Sequence, residues 1–171
     1  SKQGNTVKQL TPGTVLAALD PKIIKDTYTL TAKSPIDTLT SLQLDAIPHK
    51  SLNNSSSLSH NFVISELALI IKRGKQNIKV NFSDSHASFE QNGYLIKDSI
   101  NGSNRDIGWG ISGQNNKKNT AWVTTDKPIK IQKGDLLELK ISCESKWPKH
   151  VLGHFKVSVS STKPKALSGQ S

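Results

Sequence analysis

The chain is poor in sulfur. Among its 171 residues there is one cysteine, Cys143, and no methionine. A lone cysteine cannot close an internal disulfide or build a thiolate metal cluster. In "LLELKISCES" it reads as a small apolar strand residue, because nothing nearby marks an activated thiol. The missing methionine and the start at Ser1 are read as those of a mature or excised piece of a longer protein. Long apolar runs are also absent, so no helix that would insert into a membrane is expected. Arginine is nearly missing: of 23 basic residues only Arg73 and Arg105 are Arg. Readers of nucleic acid rely on Arg forks, which argues against nucleic acid as a partner. The net charge of +10 comes from lysines spread along the chain. They form either a solvated basic surface or one that attracts a polyanion, such as a sulfated or uronic polysaccharide or an anionic lipid.

Enzyme signatures are missing too. There is no Gly-rich phosphate loop, no His-Glu-x-x-His and no Gly-x-Ser-x-Gly. The 13 acidic residues are scattered. On a straight strand His150 and His154 would stand about 13 Å apart, too far to share a metal ion. No catalysis is expected. A structural Ca2+ is compatible with a β-rich fold if loop oxygens converge; Asp84, Glu90 and Asp98 are the candidate donors, without an EF-hand pattern.

What is present favours strands. Ser, Thr, Asn, Val and Ile dominate, and apolar residues alternate with polar ones. Strands are predicted over 27–32, 40–47, 61–71, 77–82, 127–131, 135–142 and 154–160, with an early one near Val15 to Leu19. Turn signals such as "KSP", "KRGKQ", "QNG" and "QKGD" separate them. The one stretch with helical character, "KQLTPGTVLAALD", is interrupted by its Thr-Pro-Gly. Eight or nine strands with frequent turns predict an all-β, two-sheet antiparallel β-sandwich of jelly-roll type. The length suits one domain, 1–160, followed by a linker or disordered tail, 161–171.

An internal echo fits two sheets. "DTYTLTAKSPI" (26–36) aligns without a gap on "NTAWVTTDKPI" (119–129). An alternating strand follows each, and then a loop and a Leu-x-His strand opener. Two related strand–strand–loop–strand units facing each other make a sandwich. The echo also assigns faces. Tyr28 and Leu30 point inward, Ala121 and Val123 do the same, and Trp122 points to the other face.

Function, if any, is expected in loops at one end of the sandwich. Trp109 in "DIGWGIS" is either an anchor that plugs the sandwich edge or a stacking platform, since an indole face suits the C–H face of a sugar ring. Trp147 in "SKWPKH" sits in a loop beside two lysines and His150. Arg105 in "NGSNRDIGW" either pairs with a nearby Asp or offers its fork to a carboxylate or sulfate. Arg105, Trp109, Trp147 and His150 are the candidate ligand-binding residues.

The run "SINGSNRDIGWGIS…NTAWVTTDKPI" resembles the discoidin-type, galactose-binding-like β-sandwich, whose motif is Ile-Asp-Gly, a short loop and a Trp. Ile100, Asn101, Gly102 and Trp109 fill these places, with Asn101 where Asp is usual. More narrowly, "DTYTLTAKSPIDTLTSLQLDAIP", "NFVISEL", "SFEQNGYLIKDSINGSNRDIGW" and "HVLGHFKVSVS" are similar to an accessory domain of large secreted bacterial proteins that also carry cytochrome c-like haem domains. The resemblance implies an exported chain (secreted, periplasmic or on the cell surface) joined to parent domains and binding a carbohydrate noncatalytically. The alternative is a structural or protein-interaction domain packed on those parent domains.

Overall fold

The computed structural model describes residues 1–102 and 104–165. Its strands are β1 Thr6–Thr11, β2 Thr14–Ala18, β3 Asp26–Lys33, β4 Thr38–Ala46, β5 Val63–Ile64, β6 Glu66–Arg73, β7 Gln76–Lys79, β8 Phe82–Ala87, β9 Trp109–Gly110, β10 Asn119–Lys130, β11 Leu136–Cys143 and β12 His154–Ser160. Among the described residues one short α-helix, α1, covers Ile96–Ile100, and a 3-10 turn covers Lys50–Leu52. A six-stranded sheet runs β1-β2-β12-β4-β10-β8, a four-stranded sheet runs β3-β11-β6-β7, and β5 pairs with β9. Every pairing is antiparallel. The fold is the expected all-β sandwich.

Alternation explains how the sheets meet. In β4, Leu42, Leu44 and Ala46 are buried, and in β11 so are Leu137, Leu139 and Ile141. Together with Leu67, Leu69 and Ile71 of β6 and Ala121 and Val123 of β10 they form one hydrophobic cluster between the sheets. Tyr28 lies against Phe155, with ring centroids 5.5 Å apart, and its hydroxyl donates to Leu152 O at 2.7 Å. That bond satisfies the one polar atom this ring carries into the core.

The echo has a topological counterpart. β3, β11 and β6 are neighbours in the four-stranded sheet, and β10, β4 and β12 are neighbours in the other. Exchanging the echoed segments turns the β3–β11 pair into the β10–β4 pair, so these equivalent strands lie in opposite sheets; the third echoed segment, 58–65, holds β5, which pairs with β9. The registers differ by two residues. Leu30 stands opposite Leu139, whereas Val123 stands opposite Leu42 rather than the echoed Leu44. An even shift leaves every side chain on its own face.

Several local expectations are corrected. "KQLTPGTVLAALD" is the β1–β2 hairpin, turned at Pro12 and Gly13. The predicted strand 61–71 is broken at Ser65, whose Oγ donates to Ser142 O and accepts from Glu144 N. The separate strand at 127–131 is the far end of β10, displaced by a bulge between Thr124 and Ile129. Twelve strands stand where eight or nine were expected, the additional ones being short or at sheet edges. Of the expected tail, residues 161–165 are described, and Thr162 O accepts a hydrogen bond from Ser41 Oγ. Residues 166–171 lie outside the described residues.

Candidate functional site

Two of the candidates, Trp147 and His150, lie on one loop, residues 144–151, which leads into β12, and Arg105 pairs with Glu144 at its start. After Pro148, Lys149 adopts a left-handed backbone, φ 65°. That conformation is uncommon for a residue with a Cβ. It is held on both sides: Lys149 N donates to Ile24 O at 2.7 Å, and Lys149 O accepts from Ser59 Oγ at 2.7 Å. The His150 carbonyl accepts from Val63 N of β5 at 3.1 Å. The last of these bonds ties the loop to β5.

This turn leaves Trp147 at the surface, 44% exposed. Its Nε1 donates to the Tyr94 hydroxyl. The His150 ring lies 6.3 Å away at 38°, and Lys146 Nζ stands 5.4 Å from the indole centroid. The backbone of Tyr94 is fixed in turn: its amide donates to Gln91 O, and its carbonyl accepts from Gly110 N of β9. Gln91 Oε1 accepts from Asn61 Nδ2 at 3.0 Å and from Ser112 N at 3.2 Å. An indole held at its edge, with cations and amides around it, can take an apolar sugar face while polar neighbours meet the hydroxyls.

On the other flank of the loop is a pocket of about 260 Å³, lined by Leu19, Pro21, Ile23, Leu58 and Val151 together with Asp20, Ser59 and Lys149. Arg105 joins the loop at its start. Its Nη1 donates to Glu144 Oε2 at 2.9 Å, and Nη2 lies 3.9 Å from Glu66 Oε2. Glu144 also accepts from Thr27 Oγ1 at 2.9 Å and pairs with Lys2 at 3.4 Å. Burial pushes the Glu144 carboxyl up, but the Thr27 hydrogen bond and the charges of Lys2 and Arg105 outweigh it, holding the group below the usual carboxylate range. Arg105 therefore pairs with glutamates, neither of them the nearby Asp expected from the sequence. It braces the loop, and part of its fork is already engaged.

Trp109 is a different case. It is fully buried, its Nε1 donates to Phe89 O at 2.9 Å, and its ring meets Phe62 edge to face at 5.1 Å. A stacking platform needs an open face, which Trp109 lacks. It is the anchor beneath the β5–β9 pair, which corrects its place among the ligand-binding candidates. Its neighbour Gly108, φ 148°, packs so closely on Ile64 that a Cβ would overlap the Ile64 carbonyl.

The three acids weighed for Ca2+ have separate duties. Asp84 caps Ser85 N at 2.8 Å, Glu90 accepts from Ile96 N at the start of α1, and Asp98 accepts from Asn101 Nδ2. Among the described residues no three His, Cys, Asp or Glu side chains gather to hold a metal ion. Comparison of the chain with family models, with curated proteins and with solved structures finds no match in any of the three.

Tyr94 is the site residue that sequence reasoning missed. It stands after an Asn-Gly turn far from Trp147 in the chain, and only the tertiary fold joins them.

Proposed function

We propose that the chain is a noncatalytic carbohydrate-binding module of an exported multidomain bacterial protein, related to the galactose-binding-like accessory domains it resembles. It binds a polysaccharide, anionic ones included, on the loops at one end of the sandwich. The observation that carries this reading is the half-exposed Trp147, fixed by Tyr94 and flanked by His150 and Lys146. Lys146 supplies positive charge beside the indole, and the net charge of +10 raises the local concentration of a polyanion. The test is affinity electrophoresis over neutral and anionic polysaccharides. The expected result is retardation of the native chain by an anionic polysaccharide, relieved by salt.

A second reading is supported by Ile24, 48% exposed, whose carbonyl binds the same loop. Ile24 and Trp147 could together form an apolar patch covered by a parent domain. In that case no polysaccharide retards the chain, and Trp147 becomes shielded when the neighbouring domain is present.

A further inference from the structure

The outer face of the six-stranded sheet carries a second organised polar surface, away from the loop just described. Leu42, Leu44, Ala121 and Val123 point into the core, so Gln43, Asp45, Thr120 and Trp122 point outward. Strand register places His86, Trp122, Gln43 and Ser158 in one row across β8, β10, β4 and β12. At about 4.8 Å per strand spacing the row is about 14 Å long. Thr120, Asp45 and Lys156 form the next row.

The rows are linked by hydrogen bonds. Trp122 Nε1 donates to Gln43 Oε1 at 3.0 Å, and Gln43 Nε2 donates to both Asp45 oxygens at 3.1 and 3.3 Å. Thr120 Oγ1 donates to Asp45 Oδ1 at 2.6 Å. His86 stacks on Trp122, with centroids 4.9 Å apart and planes at 24°. Among the described residues Asp45 has no ion-pair partner. His86 Nε2 is shielded from water and has no hydrogen-bond partner.

We propose that this face is a second glycan-binding surface, for a neutral polysaccharide lying across the row His86–Trp122–Gln43–Ser158. Each part has a role. His86 covers one face of the Trp122 indole, and the rest of that ring is left for C–H faces. Gln43, held in place by Trp122 and Asp45, and Ser158 at the end of the row are the partners left for hydroxyl groups. The ligand is neutral because the polar groups the row offers, Gln43 and Ser158, are uncharged, and in the next row Asp45 and Lys156 carry opposite charges. The chemistry thus differs from the lysine-flanked loop, and this proposal does not depend on that one.

The test uses affinity electrophoresis of the whole chain in gels containing, in turn, a soluble cellulose ether, laminarin, galactomannan and arabinogalactan. At least one of these retards the native chain. Gln43→Ala and Trp122→Ala weaken that retardation about tenfold or more, as removal of a central contact does, and Lys75→Ala, exposed in the turn between β6 and β7, leaves it unchanged. Ser158→Arg, a surface change that covers the row without touching the core, also removes it and guards against a folding defect in the Trp122 variant. No retardation of the native chain by any of the four overturns the proposal. So does retardation that survives both Gln43→Ala and Ser158→Arg.

Discussion

The indole Nε1 of Trp147 donates to the hydroxyl of Tyr94, 53 residues earlier in the chain. The bond fixes the angle of a surface aromatic that would otherwise sample several rotamers. Ordering such a side chain in advance removes part of the entropy cost of binding. Tyr94→Phe keeps the ring but loses the acceptor. It is expected to weaken polysaccharide binding by a few fold, about 1 kcal/mol or less, with no change in melting temperature. Titration by quenching of tryptophan fluorescence measures it.

Trp109 and Gly108 are scaffold. Trp109→Ala removes a fully buried ring and is expected to cost about 3–5 kcal/mol. Gly108→Ala forces a Cβ into the Ile64 carbonyl at a positive φ and is expected to cost about 3 kcal/mol or more. Urea unfolding followed by circular dichroism checks both. A Gly108→Ala chain as stable as the native one would contradict the close packing of these two segments.

Cys143 is buried in β11, and burial pushes its thiol up to about 12. At neutral pH it is protonated and inert. Ellman's reagent is expected to leave the native chain unlabelled and to modify one thiol per chain in denaturant. Fast labelling of the native chain would contradict this burial.

Arg73 grips Asp135 through two nitrogens, Nη2 at 2.7 Å and Nε at 3.0 Å from the carboxylate. These bonds, together with the one from Gln132 N, hold the Asp135 carboxyl below its ordinary value. A lowered folded pKa means that the contribution is full above the ordinary carboxylate value, about 4, and is lost as pH falls through the lower folded value. Melting temperature should therefore drop on acidification below about pH 4. Arg73→Ala should lower it at neutral pH and flatten part of that acid dependence. Melting curves across this range test the sign.

The strands legible in the sequence were those in which apolar and polar residue types alternate. β12 occupies 154–160 as predicted, and β3, β4 and β11 lie within a residue or two of their expected bounds. β1 was hidden because all six of its residues are exposed, so no alternation marks it. β8 was hidden because, as an edge strand, its "FSDSHA" has only Phe82 and Ala87 as apolar residues. The helical turn α1 depends on Glu90 capping Ile96, a contact across six residues that no short pattern shows.

The candidate site was readable to a similar degree. Trp147 and His150 stood out as loop aromatics beside lysines, and the fold places their rings together. Trp109 was ambiguous because a Trp between glycines suits a buried anchor as well as an exposed platform, and only the packing against Phe62 decides. The outward direction of Trp122 followed from the echo. Its row partners Gln43 and His86 did not, since cross-strand register is set by the assembled sheet.

The most direct test of polysaccharide binding at the loop end compares the native chain with Trp147→Ala by affinity electrophoresis in alginate, polygalacturonate, heparin and chondroitin sulfate. The account predicts that at least one of these retards the native chain and that Trp147→Ala weakens the retardation about tenfold, while unfolding at the same urea concentration. Equal retardation of the two chains, or none for the native chain, would contradict it.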